Sequence, residues 1–316
     1  MTLTTTCAKL LAASLTMTLV ATMVPPARAA RDSGRASQAR GAGPRPGVTV
    51  AVVATEPCDG CPGARSFTLE IRKENQPAKR VVVANQTTKV EQIVVASENR
   101  TVVFGEVMTN VQIVTVIDNS AGAPIDYFLC FDPSLSPGGD RIAYGKVFPR
   151  HFVEGVSWQY LVYDLRLDPA QNRPAGISLD DHYDVGWPVY PPGARNRPGD
   201  NLAVPPEERH QRSSPLVWSE DGNVLRFADR FQDGMDLVTV DLVGGVALPR
   251  VRKDPLPVNR IVDPAQCPDA AGRLAYAFQV SGITPEKDSP GTVTLHLSTR
   301  APGCLAQDTL RLFVGR

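Results

Sequence analysis

The sequence has no excess of either charge and few aromatic residues: 33 basic residues balance 33 acidic ones, and aromatic residues make up 6%. No stretch interleaves basic and aromatic side chains, so we expect no nucleic-acid partner. Few segments carry apolar residues at the 3.6-residue period of a helix. Short runs of β-branched and aromatic residues recur instead, and the 28 prolines concentrate between them. We therefore expect an all-β protein.

Long apolar runs are also missing, with one exception at the amino terminus. Lys9 precedes the uncharged run Leu10–Val24, and residues 27–29 have the small-x-small form of a signal-peptidase site. The run is too short to span a bilayer comfortably, so we predict a cleaved signal peptide over residues 1–29, with an uncleaved anchor as the alternative. Residues 30–46, rich in Arg, Gly and Pro, are predicted to form a disordered linker. We expect a secreted or periplasmic protein with no membrane span after cleavage.

The clearest local pattern lies between Ser214 and Gly245 and predicts three strands. Its elements are, in order, the strand Leu216–Trp218, the turn Asp221-Gly222, the strand Val224–Phe227, a loop at Asp229–Gly234 and the strand Leu237–Leu242. Asp-Gly is a pair that tolerates positive φ in a tight hairpin. A sheet of this kind has two faces to bury, so it predicts neighbouring sheets of the same type.

The same stretch carries a Trp-Ser-x-Asp-Gly turn, a hydrophobic pair before an aromatic residue, and a Leu-x-x-x-Asp-Leu strand. The residues of this pattern are Trp218, Ser219, Asp221, Gly222, Leu225, Phe227, Asp236, Asp241, Leu242 and Gly245. The pattern resembles the repeat of TolB-like β-propellers, although Glu220 stands where that repeat usually has Pro. The resemblance implies a β-propeller with an interaction role in the periplasm or at the cell surface. It does not extend to TolB itself, which carries an α/β domain before its propeller, whereas Gly47–Ala84 is predicted to form strands.

Weaker copies of this unit occur on both sides of it. The predicted strands are Val48–Val53, Phe67–Arg72 and Arg80–Ala84, then Ile93–Ala96, Thr101–Phe104 and Val111–Ile117, then 141–144 and Tyr160–Leu165, and finally 272–276, Thr292–Ser298 and Thr309–Val314. Their anchor aromatics, Phe104, Tyr144, Phe227 and Tyr276, are 40, 83 and 49 residues apart. Periods near 40–50 residues are typical of propeller blades. We predict a propeller of five or six blades over residues 47–316, in which the first or the last strand completes the other terminal blade, with a Pro-rich insertion at about 168–212. Tandem β-sandwiches are the alternative.

Six cysteines suit an exported chain. Cys58 and Cys61 could form a short-loop disulfide, a redox dithiol or half of a zinc site. Zinc needs a second ligand pair, and the sequence has no other Cys-x-x-Cys and no His-x-x-x-His. We predict a structural disulfide there, a second one between Cys267 and Cys304, and a buried free thiol at Cys130.

The densest group of ionisable residues lies inside the insertion. Asp180, Asp181, His182 and Asp184 could bind a hard cation such as calcium or act as acid and base. A solvated loop is the alternative, and we expect no cofactor otherwise. Together with Trp187, these four residues are the candidate ligand-binding set.

Nucleophilic catalysis has little support, because Ser157 lies in Gly-Val-Ser-Trp-Gln, which lacks the second Gly of a nucleophile elbow. No α/β-hydrolase segment follows, so the chain does not resemble a prolyl oligopeptidase. The leading hypothesis is an exported, non-enzymatic β-propeller that binds a protein partner through its loops. The alternatives are a glycan- or lactone-cleaving propeller hydrolase using the carboxylate and His group of the insertion, and a structural component of the envelope.

Overall fold

The computed structural model describes the chain from residue 47 onward, with short gaps. The described residues are 47–58, 63–108, 110–147, 159–191, 210–231, 234–267, 274–289, 291–299, 301 and 303–315. The predicted signal peptide and linker, residues 1–46, lie outside them.

The described residues form antiparallel sheets, and the expected all-β class is confirmed. The first sheet contains β1 (Val48–Pro57), β2 (Arg65–Lys73) and β3 (Lys79–Val83). The second contains β4 (Lys89–Val95), β5 (Arg100–Met108), β6 (Val111–Asp118), β7 (Ala123–Leu135), β8 (Arg141–Lys146), β9 (Tyr160–Asp164) and β10 (Trp187–Tyr190). The third contains β11 (His210–Arg212), β12 (Val217–Trp218), β13 (Val224–Phe231), β14 (Gly234–Asp241) and β15 (Arg250–Pro255). The fourth contains β16 (Gln279–Pro285), β17 (Thr292–Ser298) and β18 (Thr309–Phe313). Helical structure in this part of the chain comprises α1 (Val258–Ile261) and the 3₁₀ turns Pro169–Asn172, Pro264–Gln266 and Leu274–Tyr276.

Apolar clusters lie between sheets that follow one another in the sequence. Leu69 and Ile71 of the first sheet pack with Val103 and Ile117 of the second. A second apolar cluster joins β9 and β10 to the third sheet around Phe227. Another apolar cluster joins the third sheet to the fourth. Each of these sheets thus packs against the next, as the two faces of the Ser214–Gly245 unit predicted.

The strand β7 belongs to two neighbouring units at once. Its residues 123–130 pair with β6, and its residues 130–135 pair with β8 after a register shift between Phe131 and Ser134. Asp132 lies in that shift with a φ of 42°. The strands β4 to β10 consequently form one continuous seven-stranded sheet.

The predicted repeats have the same turn geometry. In the unit around Trp218, Ser219 N donates to Val224 O (2.8 Å), Gly222 N to Ser219 O (3.0 Å) and Leu242 N to Asn223 O (2.8 Å). The unit before it has the three equivalent bonds: Ser136 N to Arg141 O (2.8 Å), Gly139 N to Ser136 O (2.9 Å) and Leu165 N to Asp140 O (2.8 Å). The repeat relation between these two units is confirmed, while the number of blades stays a prediction.

Three expectations about strands were wrong. The loop at Asp229–Gly234 is largely strand, because β13 runs on to Phe231 and β14 starts at Gly234. In the last copy, the described part of 272–276 is a 3₁₀ turn, and Tyr276 is 45% exposed instead of anchoring a core. The terminal strands do not complete each other's sheet, since β1 pairs with β2 and β18 pairs with β17.

The cysteines follow the prediction where they are described. Cys267 and Cys304 form a disulfide with their Cα atoms 5.2 Å apart, and Cys130 is a buried free thiol whose pKa is raised by burial. Cys58 is disulfide-bonded, but Cys61, its predicted partner, lies outside the described residues. Among the helices of the described residues, none has the length and apolarity needed to cross a bilayer.

Candidate functional site

The loop between β9 and β10, residues 165–186, contains most of the candidate ligand-binding set and is organised by Arg173. The Arg173 guanidinium donates two hydrogen bonds of 2.7 Å to the Asp126 carboxylate of β7. It also donates to Pro169 O (2.9 Å), Ser178 O (3.1 Å) and Leu179 O (3.3 Å). Because one buried cation bonds to several loop carbonyls and to a carboxylate of the sheet, it fixes this part of the loop to the sheet.

Two carboxylates of the candidate set also serve the loop itself. Asp184 Oδ1 lies 2.5 Å from Nζ of Lys146, whose side chain is fully buried at the end of β8. Asp181 Oδ1 accepts backbone hydrogen bonds from Tyr183 N (2.8 Å) and Asp184 N (2.7 Å), which closes a tight turn. These two side chains therefore point to different partners.

His182 and Trp187 are likewise placed by structural contacts. The His182 ring stacks on Tyr127 with centroids 3.7 Å apart, and Leu129 N donates to His182 O (2.9 Å). Trp187 Nε1 donates to Gln171 O (2.9 Å) across the loop. Within the described residues, no group of three or more His, Cys, Asp or Glu side chains is arranged to hold a metal ion.

The tip of the loop faces solvent. Leu179 is 57% exposed and Tyr183 is 37% exposed, and Asp180 between them is exposed as well. Burial, followed by the charges of Asp180 and Asp126, raises the pKa of Tyr127. A rigid support that presents apolar and acidic side chains to solvent is suited to contact with another protein.

A second group of ionisable side chains lies where β10 meets the third sheet. This inter-sheet cluster consists of Tyr190, His210, Asp229, Asp236 and Lys253. The fully buried Asp229 carboxylate accepts a 2.6 Å hydrogen bond from the Tyr190 hydroxyl. His210 Nδ1 lies 2.5 Å from the same oxygen, Asp229 Oδ2. A partly exposed imidazole paired with a buried carboxylate can exchange protons with a ligand.

The electrostatics of the inter-sheet cluster follow from its register. Asp229 and Asp236 are direct cross-strand partners on β13 and β14. Burial is the largest cause that raises the pKa of Asp236; the Asp229 charge adds to it, and Lys253 opposes it. Burial, followed by the Asp229 charge, raises the pKa of Tyr190. Lys253 Nζ lies 5.3 Å from the Tyr190 ring centroid, and its positive charge acts on Asp236.

The sequence did not predict the inter-sheet cluster, because a loop was expected at Asp229–Gly234, where β13 and β14 in fact pair. Because β13 and β14 pair as far as Phe231 and Gly234, two carboxylates seven positions apart become neighbours. The usable signal was the alternation of Phe227, Asp229 and Phe231, which places a carboxylate on the apolar face of a strand.

No protein-family model matches the sequence, and the curated proteins contain no significant match. Among solved structures, a prolyl endopeptidase is 9% identical with a TM-score of 0.33, over 79% of this chain and 32% of that one. The Dos1 propeller is 8% identical with a TM-score of 0.30, over 85% of this chain and 55% of that one. TolB from Acinetobacter baumannii is 14% identical with a TM-score of 0.21, over 85% of this chain and 65% of that one. The chain thus spans between about a third and two thirds of the length of these structures.

Proposed function

We propose that the protein is an exported binding protein of TolB-like β-propeller type, which recognises another protein through the tip of the β9–β10 loop. The observation that carries the proposal is the contrast within this loop. Arg173 and Asp184 are engaged in buried pairs, whereas Leu179 and Tyr183 are presented to solvent. Burying such side chains against a partner adds apolar contact without the cost of ordering a flexible loop.

The two repeated turns support the propeller part of this proposal, and the predicted signal segment supports export. The resemblance of residues 214–245 to the TolB-like repeat is the basis for an envelope role. A purely structural envelope component differs from this proposal in having no partner that depends on the loop tip.

The test is cross-linking and affinity capture from envelope extract with the mature chain and with a Leu179→Ser/Tyr183→Ser variant. We expect a specific partner that is captured by the unaltered chain and lost with the variant, while the unfolding midpoint changes little because both side chains are exposed. Leu248→Ser is the matched control, since Leu248 is 73% exposed on the β14–β15 connection. A partner that the tip variant retains in full would contradict the assignment of the loop.

A hydrolase is the second candidate, and the 2.5 Å contact between His210 and Asp229 favours it. In this case the general base is His210, oriented by a buried carboxylate as in other acid–base sites. A panel of glycoside and lactone substrates distinguishes the candidates. Hydrolysis that is abolished by His210→Asn and retained by Asp181→Ala would support an enzyme with the inter-sheet cluster as its site.

A further inference from the structure

A row of polar side chains crosses the third sheet on the face opposite to the inter-sheet cluster. Arg226 on β13 is the cross-strand partner of Thr239 on β14, and Thr239 is the partner of Arg252 on β15. Directly paired residues of antiparallel strands project from the same face. The two Arg residues therefore flank one Thr hydroxyl, with their strands about 10 Å apart.

Two hydrogen-bond donors in this row have no acceptor among the described residues. Arg226 Nε and Thr239 Oγ1 are both buried, and neither has a hydrogen-bond partner among the described residues. Arg252 Nε donates to Asp254 Oδ2 (3.0 Å), and its side chain remains 42% exposed. Buried donors without acceptors are rare in native proteins, because each costs the free energy of its lost hydration.

The row also concentrates positive charge around Arg226, whereas the Arg252 charge is paired with Asp254. Burial, followed by the like charge of Arg252, lowers the pKa of Arg226, and the opposing effect of Asp221 is smaller. Of the other charged residues on these strands, Arg250 is the cross-strand partner of Asp241. An anion placed between the two guanidinium groups would offset their mutual repulsion.

We propose that Arg226, Thr239 and Arg252 bind an oxyanion, namely a phosphate or sulfate group, on this face of the third sheet. Such a group carries several acceptor oxygens, so it can accept from Arg226 Nε, from the Thr239 hydroxyl and from the Arg252 guanidinium together. The group is either a free inorganic ion or the ester end of a larger molecule. Arg252 lies on the edge strand β15 and its side chain is 42% exposed, so it can meet either form.

The test measures binding to the full mature chain by calorimetry, with inorganic phosphate, inorganic sulfate and O-phosphoserine as probes and chloride at matched ionic strength as reference. We expect saturable binding, weakened about tenfold or more by Arg226→Met and by Arg252→Met, since each loses a charge-assisted hydrogen bond. Arg72→Met removes an exposed Arg of the first sheet and is the matched control, which we expect to bind like the unaltered chain. Tighter binding of O-phosphoserine than of phosphate indicates an ester ligand, and the reverse order indicates a free ion.

Thr239→Val keeps the side-chain shape and removes only the hydroxyl. We expect this variant to unfold at an equal or higher temperature in chloride, because it loses a buried donor without an acceptor. The same variant is expected to lose part of the increase in unfolding temperature that phosphate or sulfate produces in the unaltered chain. Two results would overturn the proposal: no binding of any probe beyond the chloride reference, or full binding by all three variants of the row.

Discussion

At the scale of single residues, the ion pair between Asp126 and Arg173 is the contact on which the β9–β10 loop depends. Both side chains are at most 3% exposed, and the Tyr163 hydroxyl donates to the same carboxylate at 3.0 Å. Burial alone would lower the pKa of Arg173, but the hydrogen bonds and charge of Asp126 outweigh burial and raise it. The contacts with Asp126 therefore favour the charged form of the buried Arg173 guanidinium.

We expect Asp126→Asn to lower the free energy of unfolding by about 3–5 kcal/mol, because it leaves the Arg173 charge buried without a counter-charge. Urea unfolding measures this loss. Glu70→Gln is the control, since it breaks the exposed Arg72–Glu70 pair and is expected to cost at most about 1 kcal/mol. Equal losses in the two variants would mean that the buried pair does not hold the loop.

Asp236 predicts a pH dependence of stability. Because its pKa in the folded protein is raised by burial and by Asp229, the folded state keeps this proton to higher pH than the unfolded state does. The free energy of unfolding therefore falls, through this residue, as pH rises above 3.8, the ordinary pKa of an Asp side chain. We expect Asp236→Asn to gain stability relative to the unaltered chain as pH rises from that value, as measured by urea unfolding across a pH series. A stability difference that does not change with pH would contradict the raised pKa.

At the scale of elements, the turn glycines hold neighbouring units close together. Gly139 has a φ of +74°, and a Cβ atom there would lie 2.6 Å from the backbone oxygen of Ala96 in the preceding unit. Gly222 has a φ of +68°, and its Cβ would lie 3.2 Å from the Ser136 Cβ, again in the preceding unit. Arg141 adds a second link between units, donating to Gly222 O (2.8 Å) and to Asn223 Oδ1 (2.9 Å).

Gly139→Ala is expected to destabilise the protein more than Gly245→Ala. Both positions have positive φ, so each substitution costs about 1–2 kcal/mol in backbone strain. At Gly245 a Cβ would meet no atom within 4 Å, whereas at Gly139 the contact with backbone adds about 1–3 kcal/mol. Thermal unfolding of the two variants side by side measures the difference. Equal unfolding midpoints would show that the two units are not in close contact at this turn.

Local sequence patterns predicted these turns because Asp-Gly and Pro-Gly-Gly signal positive φ directly. They also predicted strands near β2, β5, β6, β9 and β17, whose apolar residues recur at short range. The strands β7, β15 and β16 were missed, since Asp132, Lys253 and Gly282 interrupt their apolar patterns and partner strands decide the outcome. Strand pairing also explains why the sequence indicated one group of ionisable residues and not the other. The residues at 180–184 are close in sequence but contact different partners, whereas Asp229 and Asp236 become neighbours only through the register of β13 and β14.

At the scale of the whole molecule, the Cys267–Cys304 disulfide links α1 and its following turn to the segment before β18, across a sequence separation of 37 residues. We expect the double variant Cys267→Ala/Cys304→Ala to lose about 2–5 kcal/mol, because the unfolded chain regains the freedom that the cross-link removes. Urea unfolding of the oxidised chain and the variant measures the loss. Cys58→Ser, which breaks the other disulfide, serves as the control. An unchanged unfolding free energy in the Cys267→Ala/Cys304→Ala variant would contradict a stabilising role of the Cys267–Cys304 disulfide.

The strand β7 has a consequence for how the molecule opens. Since its two halves bond to β6 and to β8, neither neighbouring unit can detach without leaving an unpaired strand edge on the other. The two units therefore behave as one cooperative folding block, and backbone amides of β5 and β9 are expected to exchange with solvent deuterium through the same opening event. The number of repeats in the sequence would then exceed the number of parts that unfold independently.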